Sequence, residues 1–333
     1  MSEATDIQWM SRDADTIPLD QLDLMNPQLF HNDYHVKIFE RLRRESPVHL
    51  QKDHKEIGSF WNVTRYEDIM TVDTNHDSFS SAGSITAVDP DEDFTLPMFI
   101  AMDPPKHDHQ RKEVSSSVQP SNLAKMESTI RQRVCGILDS LPRGEEFNWV
   151  ELVSIELTTQ MLATLFDFPF EDRSKLTRWS DVATADEESG IVESEDQRRA
   201  ELGECLEYFT RLWNERVNEP PRGDLISMLA HGESTKNMDP FEYLGNLVLL
   251  IVGGNDTTRN SITGGIKFLN ENPVEYQKLR DNHSLIPNMV PEIIRYQTPL
   301  AYMRRTAAKD SVLGGQNIKE GDKLLMWYVS GNR

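Results

Sequence analysis

One long stretch between two prolines constrains the fold of this chain more than any other. Asp239-Pro240-Phe241-Glu242 has the residues of a strong helix start: Asp caps, Pro takes the first helical position and Glu stands at the capping-box position. No further proline follows until Pro273. At 1.5 Å per residue, a helix over about 240–272 is roughly 50 Å long, enough to cross a whole domain. Because residues 247–252 are apolar on every side, we predict that this helix is central and buried.

The middle of this helix contains a feature that packing alone does not require. Gly253 and Gly254 are adjacent, and a glycine in a helix interior costs about 1 kcal/mol relative to alanine. The pair thins the helix wall and lets another group approach the backbone. Asp256 and Thr257 place a carboxylate and an alcohol beside this gap. A gap flanked by proton-transfer groups predicts a reaction site for a small reactant.

Composition argues against several classes of function. The formal net charge of −20 disfavours nucleic acid as a partner, because phosphate binding requires clustered Lys and Arg. The two cysteines, Cys135 and Cys205, cannot form a disulfide framework or a CxxC metal site, and each is expected to be a buried or half-buried small residue. The sequence has no run of about 20 apolar residues, so no membrane anchor is expected. Residues 1–15 are polar and acidic, unlike a signal peptide, so we expect a cytoplasmic location.

The remaining pattern predicts a mainly α fold with a smaller β region. Residues 1–30 are predicted to form an extended arm, and residues 31–333 a single domain. Amphipathic helical patterns cover 122–141, 150–166, 173–186, 196–218 and 224–229. Short strands are predicted at 48–50 and 59–63, and again between 300 and 329, where Gly-Gly and Glu-Gly-Asp turns separate them.

A long segment with neither helical nor strand periodicity covers residues 80–100. It holds four acidic residues, Asp89, Asp91, Glu92 and Asp93, together with many apolar ones. Long structureless segments in compact domains are often binding loops or lids. The alternative is a poorly ordered surface excursion.

His107 and Arg111 are four residues apart in the helix predicted after Asp103-Pro104-Pro105, so they share one face. Two cations on one face suit a ligand with two negative charges. A solvated basic face is the alternative.

Pro291 is predicted to begin a further helix, which carries Glu292 and Arg295. Their i, i+3 spacing allows an ion pair. Such pairs are common on exposed helices and contribute only about 0.2–0.5 kcal/mol.

Taken in chain order, these features resemble the cytochrome P450 superfamily, the haem-thiolate monooxygenases. Gly253-Gly254-Asn255-Asp256-Thr257-Thr258 matches the oxygen-binding signature of the family's long central helix, and Glu292-Ile293-Ile294-Arg295 matches its Glu-x-x-Arg motif. Asp103-Pro104-Pro105-Lys106-His107 with Arg111 resembles the bacterial haem-propionate segment, and Arg305 falls where the family has another propionate-binding arginine. The resemblance runs from about residue 20 to the end of the chain and implies the mainly α P450 fold.

The resemblance also implies a role for each matching residue. Three cations would neutralise the propionates of haem b: His107, Arg111 and Arg305. Gly253 and Gly254 would let the haem and dioxygen approach the central helix. Thr257 would hydrogen-bond the bound oxygen while Asp256 relays protons from solvent. The Glu-x-x-Arg pair, Glu292 and Arg295, would be structural and support the haem-binding core.

Within the family, residues 253–261 and 302–307 resemble the bacterial branch that hydroxylates medium-chain alkanes and fatty acids at the terminal carbon. This branch implies electrons from NAD(P)H through a ferredoxin reductase and a ferredoxin, with O2 as co-substrate. Apolar residues form the candidate wall of a pocket for a small hydrophobic substrate: Ile85, Val88, Leu96, Phe99, Ile100, Leu249, Val252, Leu300, Ala301 and Met303. About half of them are expected to be ordinary core residues. A terpene or a steroid side chain is the alternative substrate.

The family's axial ligand is a cysteine in a Phe/Gly-rich loop after the last β region. This chain ends at Gly331-Asn332-Arg333, and neither Cys135 nor Cys205 has that context. We therefore expect the ligand to lie beyond Arg333, the P450 fold to be incomplete at its C-terminus, and these residues alone not to catalyse monooxygenation. A non-catalytic helical module that binds hydrophobic ligands is the alternative. The test is a reduced carbon-monoxide difference spectrum, in which we expect no thiolate-type Soret band.

Overall fold

The computed structural model of the chain describes residues 13–31, 33–90, 92–185 and 189–333. Asp91, from the acidic segment, and Asp186, predicted to end a helix, lie outside these residues. Contacts divide the chain into two compact units, where the sequence predicted one domain. Unit 1 contains the chain up to Glu92 together with Ala101–Asp103 and Leu300–Arg333, and unit 2 contains Asp93–Ile100 and Pro104–Pro299.

The fold is mainly α-helical with a small β region, as predicted. The helices are α1 (Gln28–His31), α2 (His35–Glu45), α3 (Tyr66–Asp73), α4 (Lys106–Ser115), α5 (Pro120–Ser140), α6 (Glu156–Phe166), α7 (Ser174–Thr184), α8 (Glu195–Arg216), α9 (Leu225–His231), α10 (Pro240–Glu271), α11 (Pro273–Asp281), α12 (Ile286–Gln297) and α13 (Tyr328–Gly331). The strands are β1 (Val48–His54), β2 (Gly58–Val63), β3 (Phe79–Ser80), β4 (Met303–Ala307), β5 (Ser311–Leu313), β6 (Gln316–Ile318) and β7 (Lys323–Met326). A π-helical turn, Val150–Ile155, leads into α6.

Every strand of the described residues lies in unit 1. A five-stranded sheet has the order β1-β2-β7-β4-β3, in which β2 and β7 are parallel and the other pairs antiparallel. Leu324, Leu325 and Met326 of β7 are completely buried, so both faces of this central strand are covered. The hairpin β5-β6 turns at Gly314-Gly315, as the sequence predicted, and both glycines have positive φ.

The predicted extended arm differs in the structure from residue 13 onward, while residues 1–12 lie outside the described part. Ile17, Leu24 and Leu29 are completely buried in a core cluster of unit 1. The guanidinium of Arg41 on α2 donates hydrogen bonds to the carbonyl oxygens of Ala14 and Ile17. The segment is therefore held in unit 1 by burial of its apolar side chains and by hydrogen bonds from Arg41 to its backbone carbonyls.

Strand β7 ends earlier than the sequence predicted. It stops at Met326 rather than continuing to Val329, and α13 follows. The indole nitrogen of Trp327 donates to Oδ1 of Asn62 at 2.7 Å, and the backbone N–H of Ser330 donates to the carbonyl of Trp327 at 2.9 Å. The N–H groups of Gly331 and Asn332 likewise donate to the carbonyls of residues 327 and 328, whereas that of Val329 donates to the carbonyl of Ala301. Because these bonds replace a strand ladder, the chain turns away from the sheet.

Helix α12 begins earlier than predicted, at Ile286 instead of Pro291. Pro287 occupies the first turn, where a missing N–H costs nothing. Pro291 lies inside the helix and lacks the N–H that would bond to the carbonyl of Pro287. Both prolines are exposed, so water can satisfy that carbonyl.

Helix α10 is the centre of unit 2, as its apolar pattern predicted. It contacts α6, α7, α8, α11 and α12. At its start, Oδ1 of Asp239 accepts hydrogen bonds from the backbone N–H groups of Phe241 (2.9 Å) and Glu242 (3.0 Å). Residues 242–248 are all buried. No helix among the described residues, α10 included, is long and apolar enough to cross a membrane.

The two cysteines have different surroundings. Cys205 on α8 is completely buried, and burial raises the pKa of its thiol. Cys135 on α5 is exposed, which corrects the expectation that both would be at least half-buried. Ile137 is the one buried residue of α5, so the other side chains of this helix, including Cys135, are at least partly accessible to solvent.

Candidate functional site

Helix α10 changes from buried to open at its middle. Gly253 and Thr258 are exposed, although residues 242–248 are buried. Apart from the neighbouring backbone of α10 itself, a Cβ on Gly253 would meet no described atom within 4 Å, whereas a Cβ on Gly254 would come 2.6 Å from Cδ2 of Leu162 on α6. The two glycines therefore have different effects. Gly254 allows α10 and α6 to pack closely, and Gly253 leaves an open flank on α10.

Thr257 lies one helical turn after Gly253, on the same face of α10. Its hydroxyl donates a hydrogen bond to the carbonyl oxygen of Gly253 at 3.1 Å. The hydroxyl oxygen retains acceptor capacity toward the open flank. Thr257 and Ser261 also line a mainly apolar groove of about 520 Å³ between α10 and α12. The Thr257 hydroxyl therefore lies beside the open flank of α10.

Asp256 is held in place by neighbours on its own helix. Its Oδ1 accepts hydrogen bonds from Nη2 of Arg259 at 2.6 Å and from Nδ2 of Asn260 at 3.3 Å. Nη1 of Arg259 donates to Oδ1 of Asp181 on α7 at 3.0 Å. Burial lowers the pKa of Arg259, but hydrogen bonds to Asp256 and Asp181 outweigh burial and raise it. Arg259 therefore remains charged and fixes Asp256.

Arg259 and Asp181 are not among the site residues predicted from the sequence. The i, i+3 spacing of Asp256 and Arg259 was a visible signal for the first of these contacts. Asp181 lies on a separate helix, far away in the chain, and no local pattern connects it with Arg259.

His107 and Arg111 lie on α4 in unit 2. Nδ1 of His107 is 2.8 Å from Oδ1 of Asp108, and the imidazole centroid is 6.5 Å from that of the Phe99 ring. Arg111 is exposed, and its guanidinium has no hydrogen-bond or ion-pair partner within the described ranges. A cation without a protein carboxylate beside it is available to an anionic ligand.

Arg305 lies on β4 in unit 1 and already has a partner. Its Nη2 is 2.7 Å from Oδ1 of Asp73, and its side chain is 15% exposed. Its predicted role as a propionate ligand therefore requires the guanidinium to be shared with Asp73. The neighbouring Arg304 is bonded to Asp89 at 2.6 Å, and Lys323 binds the same carboxylate at 2.7 Å. Lys323 and Arg304 together lower the pKa of Asp89.

The Glu-x-x-Arg pair forms the predicted contact on α12. Oε1 of Glu292 is 2.7 Å from Nη2 of Arg295, and Oε2 is 2.8 Å from Nε, so the pair is bidentate. The side chains are 59% and 44% exposed, respectively. In this structure the pair lies on an open face of α12, where a single ion pair contributes little to stability.

The candidate pocket residues are divided between the units. Unit 1 contains Ile85, Val88, Leu300, Ala301 and Met303, and unit 2 contains Leu96, Phe99, Ile100, Leu249 and Val252. Ala301 packs against one core cluster of unit 1 and Met303 against the other, so both are core residues in this structure. Phe99 is 7% exposed, whereas Val88 is 46% exposed.

Unit 2 contains residues of the types that a haem requires. Its propionates need hydrogen-bond donors and positive charge, which the His107 ring and the Arg111 guanidinium can supply from one helix. Its flat face needs a stretch of helix without side chains, which the open flank at Gly253 provides. His107 and Arg111 would hold the propionates, and Thr257 would stand beside the flank.

Comparisons with known proteins identify the family. No family model matches the chain. The chain is 33% identical over 329 residues to linalool 8-monooxygenase of Pseudomonas putida, covering 95% of this chain and 80% of that protein. It is 29% identical over 332 residues to a methyl-branched lipid omega-hydroxylase of Mycobacterium tuberculosis, covering 95% and 77%. The structure of CYP153D17 from Sphingomonas sp. PAMC 26605 superposes with a TM-score of 0.87 at 48% identity, covering 95% of this chain and 80% of that one. This protein belongs to the cytochrome P450 family of monooxygenases.

Proposed function

We propose that the protein, acting in the cytoplasm, hydroxylates the terminal carbon of medium-chain alkanes or fatty acids. Electrons come from NAD(P)H through a ferredoxin reductase and a ferredoxin. The observation that carries the chemistry is the open flank at Gly253, with Thr257 on the same helix face and Asp256 fixed by Arg259.

When bound, haem supplies the oxidant that inserts one oxygen atom of O2 into a C–H bond. The residues of this chain supply positioning and protons. The hydrogen bond from Thr257 to the carbonyl of Gly253 orients the hydroxyl and leaves its oxygen able to accept a hydrogen bond from a group bound at the flank.

Asp256 moves protons between solvent and the helix gap. Its Oδ1 is occupied by Arg259 and Asn260, whereas Oδ2 has no hydrogen-bond partner in the described part of the chain. The side chain is 31% exposed, so Oδ2 can exchange protons with water. A carboxylate that is fixed at one oxygen and hydrated at the other suits a proton relay over short distances.

The apolar character of the candidate wall supports the substrate class. A linear chain offers no hydrogen-bonding group along its length, and Leu96, Phe99 and Ile100 offer none from their side chains. The similarity to a protein named as a lipid omega-hydroxylase supports attack at a chain end. The similarity to a protein named linalool 8-monooxygenase favours the second candidate, a terpene.

Product analysis tests the substrate class. The full-length protein, in which the axial cysteine is expected to follow Arg333, is supplied with haem, a ferredoxin system and either octane, a fatty acid or a terpene alcohol. We expect hydroxylation of the linear compounds at the terminal carbon. Product from the terpene alone would replace the proposed class by the second candidate, since every other component of the reaction is shared.

The role of Thr257 is tested by the coupling of electrons to product. In the full-length protein, Thr257→Ala removes the hydroxyl beside Gly253 and should release peroxide at the expense of product. The control is Ser261→Ala, which removes an equivalent hydroxyl, bonded at 2.8 Å to the carbonyl one turn earlier. Tight coupling in Thr257→Ala would exclude the proposed role of this hydroxyl.

The role of His107 is tested by haem retention. His107→Ala should lower the fraction of protein that keeps haem through gel filtration, because a propionate loses its cation. His109→Ala, on the same helix but exposed, is the control. Equal haem content in the two variants would show that His107 belongs only to a solvated face.

A further inference from the structure

The segment Asp93–Ile100 runs along the first turns of α10 in unit 2. The rings of Phe94 and Phe241 meet edge to face, with centroids 6.1 Å apart. The backbone N–H of Phe99 donates to Oδ1 of Asn246 at 2.8 Å. Successive residues of the segment therefore contact α10 in the same order along the chain and along the helix.

Between these two contacts, the backbone of the segment lies directly against Gly245. A Cβ at that position would collide with the carbonyl oxygen of Pro97 and would lie 2.8 Å from its carbonyl carbon. Only glycine permits this approach without moving the segment.

The contact at Phe99 is the end of a chain of buried polar groups. Asn246, Gln110 and Glu242 are 0%, 2% and 8% exposed. Nδ2 of Asn246 donates to Oε1 of Gln110 at 3.4 Å and lies 3.1 Å from the sulfur of Met238. Nε2 of Gln110 donates to Oε1 of Glu242 at 2.6 Å.

This chain of hydrogen bonds has a direction that its chemistry determines. An ionised carboxylate only accepts, so Gln110 must turn its NH2 group toward Glu242. The carbonyl of Gln110 then faces Asn246, which must turn its own NH2 toward it. The carbonyl of Asn246 is left to accept from the N–H of Phe99. Reversing any one amide would set two donors or two acceptors against each other, at the cost of buried unpaired groups.

We propose that Asn246 is a positioning residue that holds Asp93–Ile100 as a fixed wall of the substrate pocket, with Glu242 setting the direction of the hydrogen bonds. The assignment of this wall to the pocket rests on the proposed function. The segment carries Leu96, Phe99 and Ile100, and the ring of Phe99 also contacts His107. Moving the segment would therefore disturb both the wall and a candidate propionate ligand.

Hydrogen exchange of the Phe99 amide tests the positioning directly. In Asn246→Ala, the amide loses its acceptor, and its exchange rate should rise by roughly five- to tenfold, the effect of one buried hydrogen bond. Glu242→Gln should also raise it, although by less, because Gln110 and Asn246 can then reverse. Hydrogen bonds connect Glu242 to the Phe99 amide through the side chains of Gln110 and Asn246. Faster Phe99 exchange in Glu242→Gln would therefore show that Glu242 sets the direction of these hydrogen bonds.

Two control variants separate the hydrogen-bond chain from other effects. Nζ of Lys106 is 2.7 Å from Oε1 of Glu242. Lys106→Met removes this ion pair but keeps the carboxylate that accepts the hydrogen bond from Gln110. Asn270→Ala makes the same substitution on an exposed part of α10. Neither should change the exchange of Phe99. An unchanged rate in Asn246→Ala would overturn the positioning role, and a rate in Lys106→Met equal to that in Glu242→Gln would overturn the directional role of Glu242.

A binding measurement tests whether the fixed segment is a pocket wall. The ratio of the dissociation constants for octane and linalool is read from the change in the haem spectrum of the haem-loaded full-length protein. Asn246→Ala should change this ratio, because a displaced wall contacts the two ligands differently, whereas Asn270→Ala should leave it unchanged. An unshifted ratio with faster Phe99 exchange would overturn the wall assignment alone. Failure of the unmodified protein to bind octane would instead count against the proposed function.

Discussion

The two halves of α10 differ both in sequence and in surroundings, since the first half is mostly apolar and the second half is mostly polar or glycine. The first half, residues 240–252, carries the segment Asp93–Ile100 and a chain of buried hydrogen bonds. The second half, residues 253–271, faces α12 across apolar grooves of about 520 and 460 Å³ and has the exposed Gly253 at its beginning. Burial along this helix therefore follows both the hydropathy of each half and the elements that cover it.

The glycines of α10 show the same difference at single positions. A Cβ at Gly245 would meet the backbone of Pro97, and one at Gly254 would meet the end of the Leu162 side chain. A Cβ at Gly253 would meet no described atom within 4 Å beyond the neighbouring backbone of α10. Replacing each glycine by alanine and measuring the change in the free energy of unfolding therefore shows how firmly that part of the helix is covered.

The largest effect is expected for Gly245→Ala. Alanine favours the helix, but the new methyl group would displace the backbone at Pro97 and with it the segment along α10. We expect a loss of about 1–3 kcal/mol in the free energy of unfolding, typical of overpacking. Urea titration measures it. A stability equal to that of the unmodified protein would mean that the segment is loosely held and that the two halves of α10 are alike.

A smaller loss in the free energy of unfolding is expected for Gly254→Ala. Its methyl group would lie 2.6 Å from Cδ2 of Leu162, a side-chain end that can rotate away. We expect about 1 kcal/mol of destabilisation. In a Leu162→Ala background the same change should cost nothing, because the obstructing atom is gone. If the cost stays the same in that background, contact with α6 is not its cause.

Gly253→Ala should raise stability while impairing cofactor binding. The methyl group meets no described atom within 4 Å, and alanine in place of glycine in a helix contributes about 0.5–1 kcal/mol. The same methyl group would enter the flank proposed for haem, so haem content after reconstitution should fall. Thermal unfolding and the Soret absorbance measure the two effects. Undiminished haem content would show that the flank is not the haem face.

The smallest effect is expected for Glu292→Gln on α12. The ion pair with Arg295 has good geometry, but both side chains are more than 40% exposed. We expect a change of less than about 0.5 kcal/mol in the free energy of unfolding, reduced further by added salt. Urea titration at two salt concentrations measures it. A loss of several kcal/mol would show that the open half of α10 and α12 depends on this pair, unlike an ordinary surface pair.

Features carried by neighbouring residues could be predicted from the sequence. The cap at Asp239, the prolines at 240 and 273 and the apolar run between them predicted α10 almost to the residue. The i, i+3 spacing predicted the Glu292–Arg295 contact, and the i, i+4 spacing placed His107 and Arg111 on one helix. Prediction was poorer where a non-local contact decides, as at Ile17, which is buried in unit 1 although its sequence surroundings resemble a free arm.

The sequence alone thus determined the long helix, its glycine break with an acid and an alcohol, and the cations that resemble a haem site. These features depend on caps, periodicity and spacing over a few residues. Only the tertiary structure decided which glycine is open, that Asp181 supports Arg259, and that Asn246 holds a segment almost 150 residues away in the chain. Each of these depends on the approach of elements distant in the chain, and a local pattern contains no information about which elements meet.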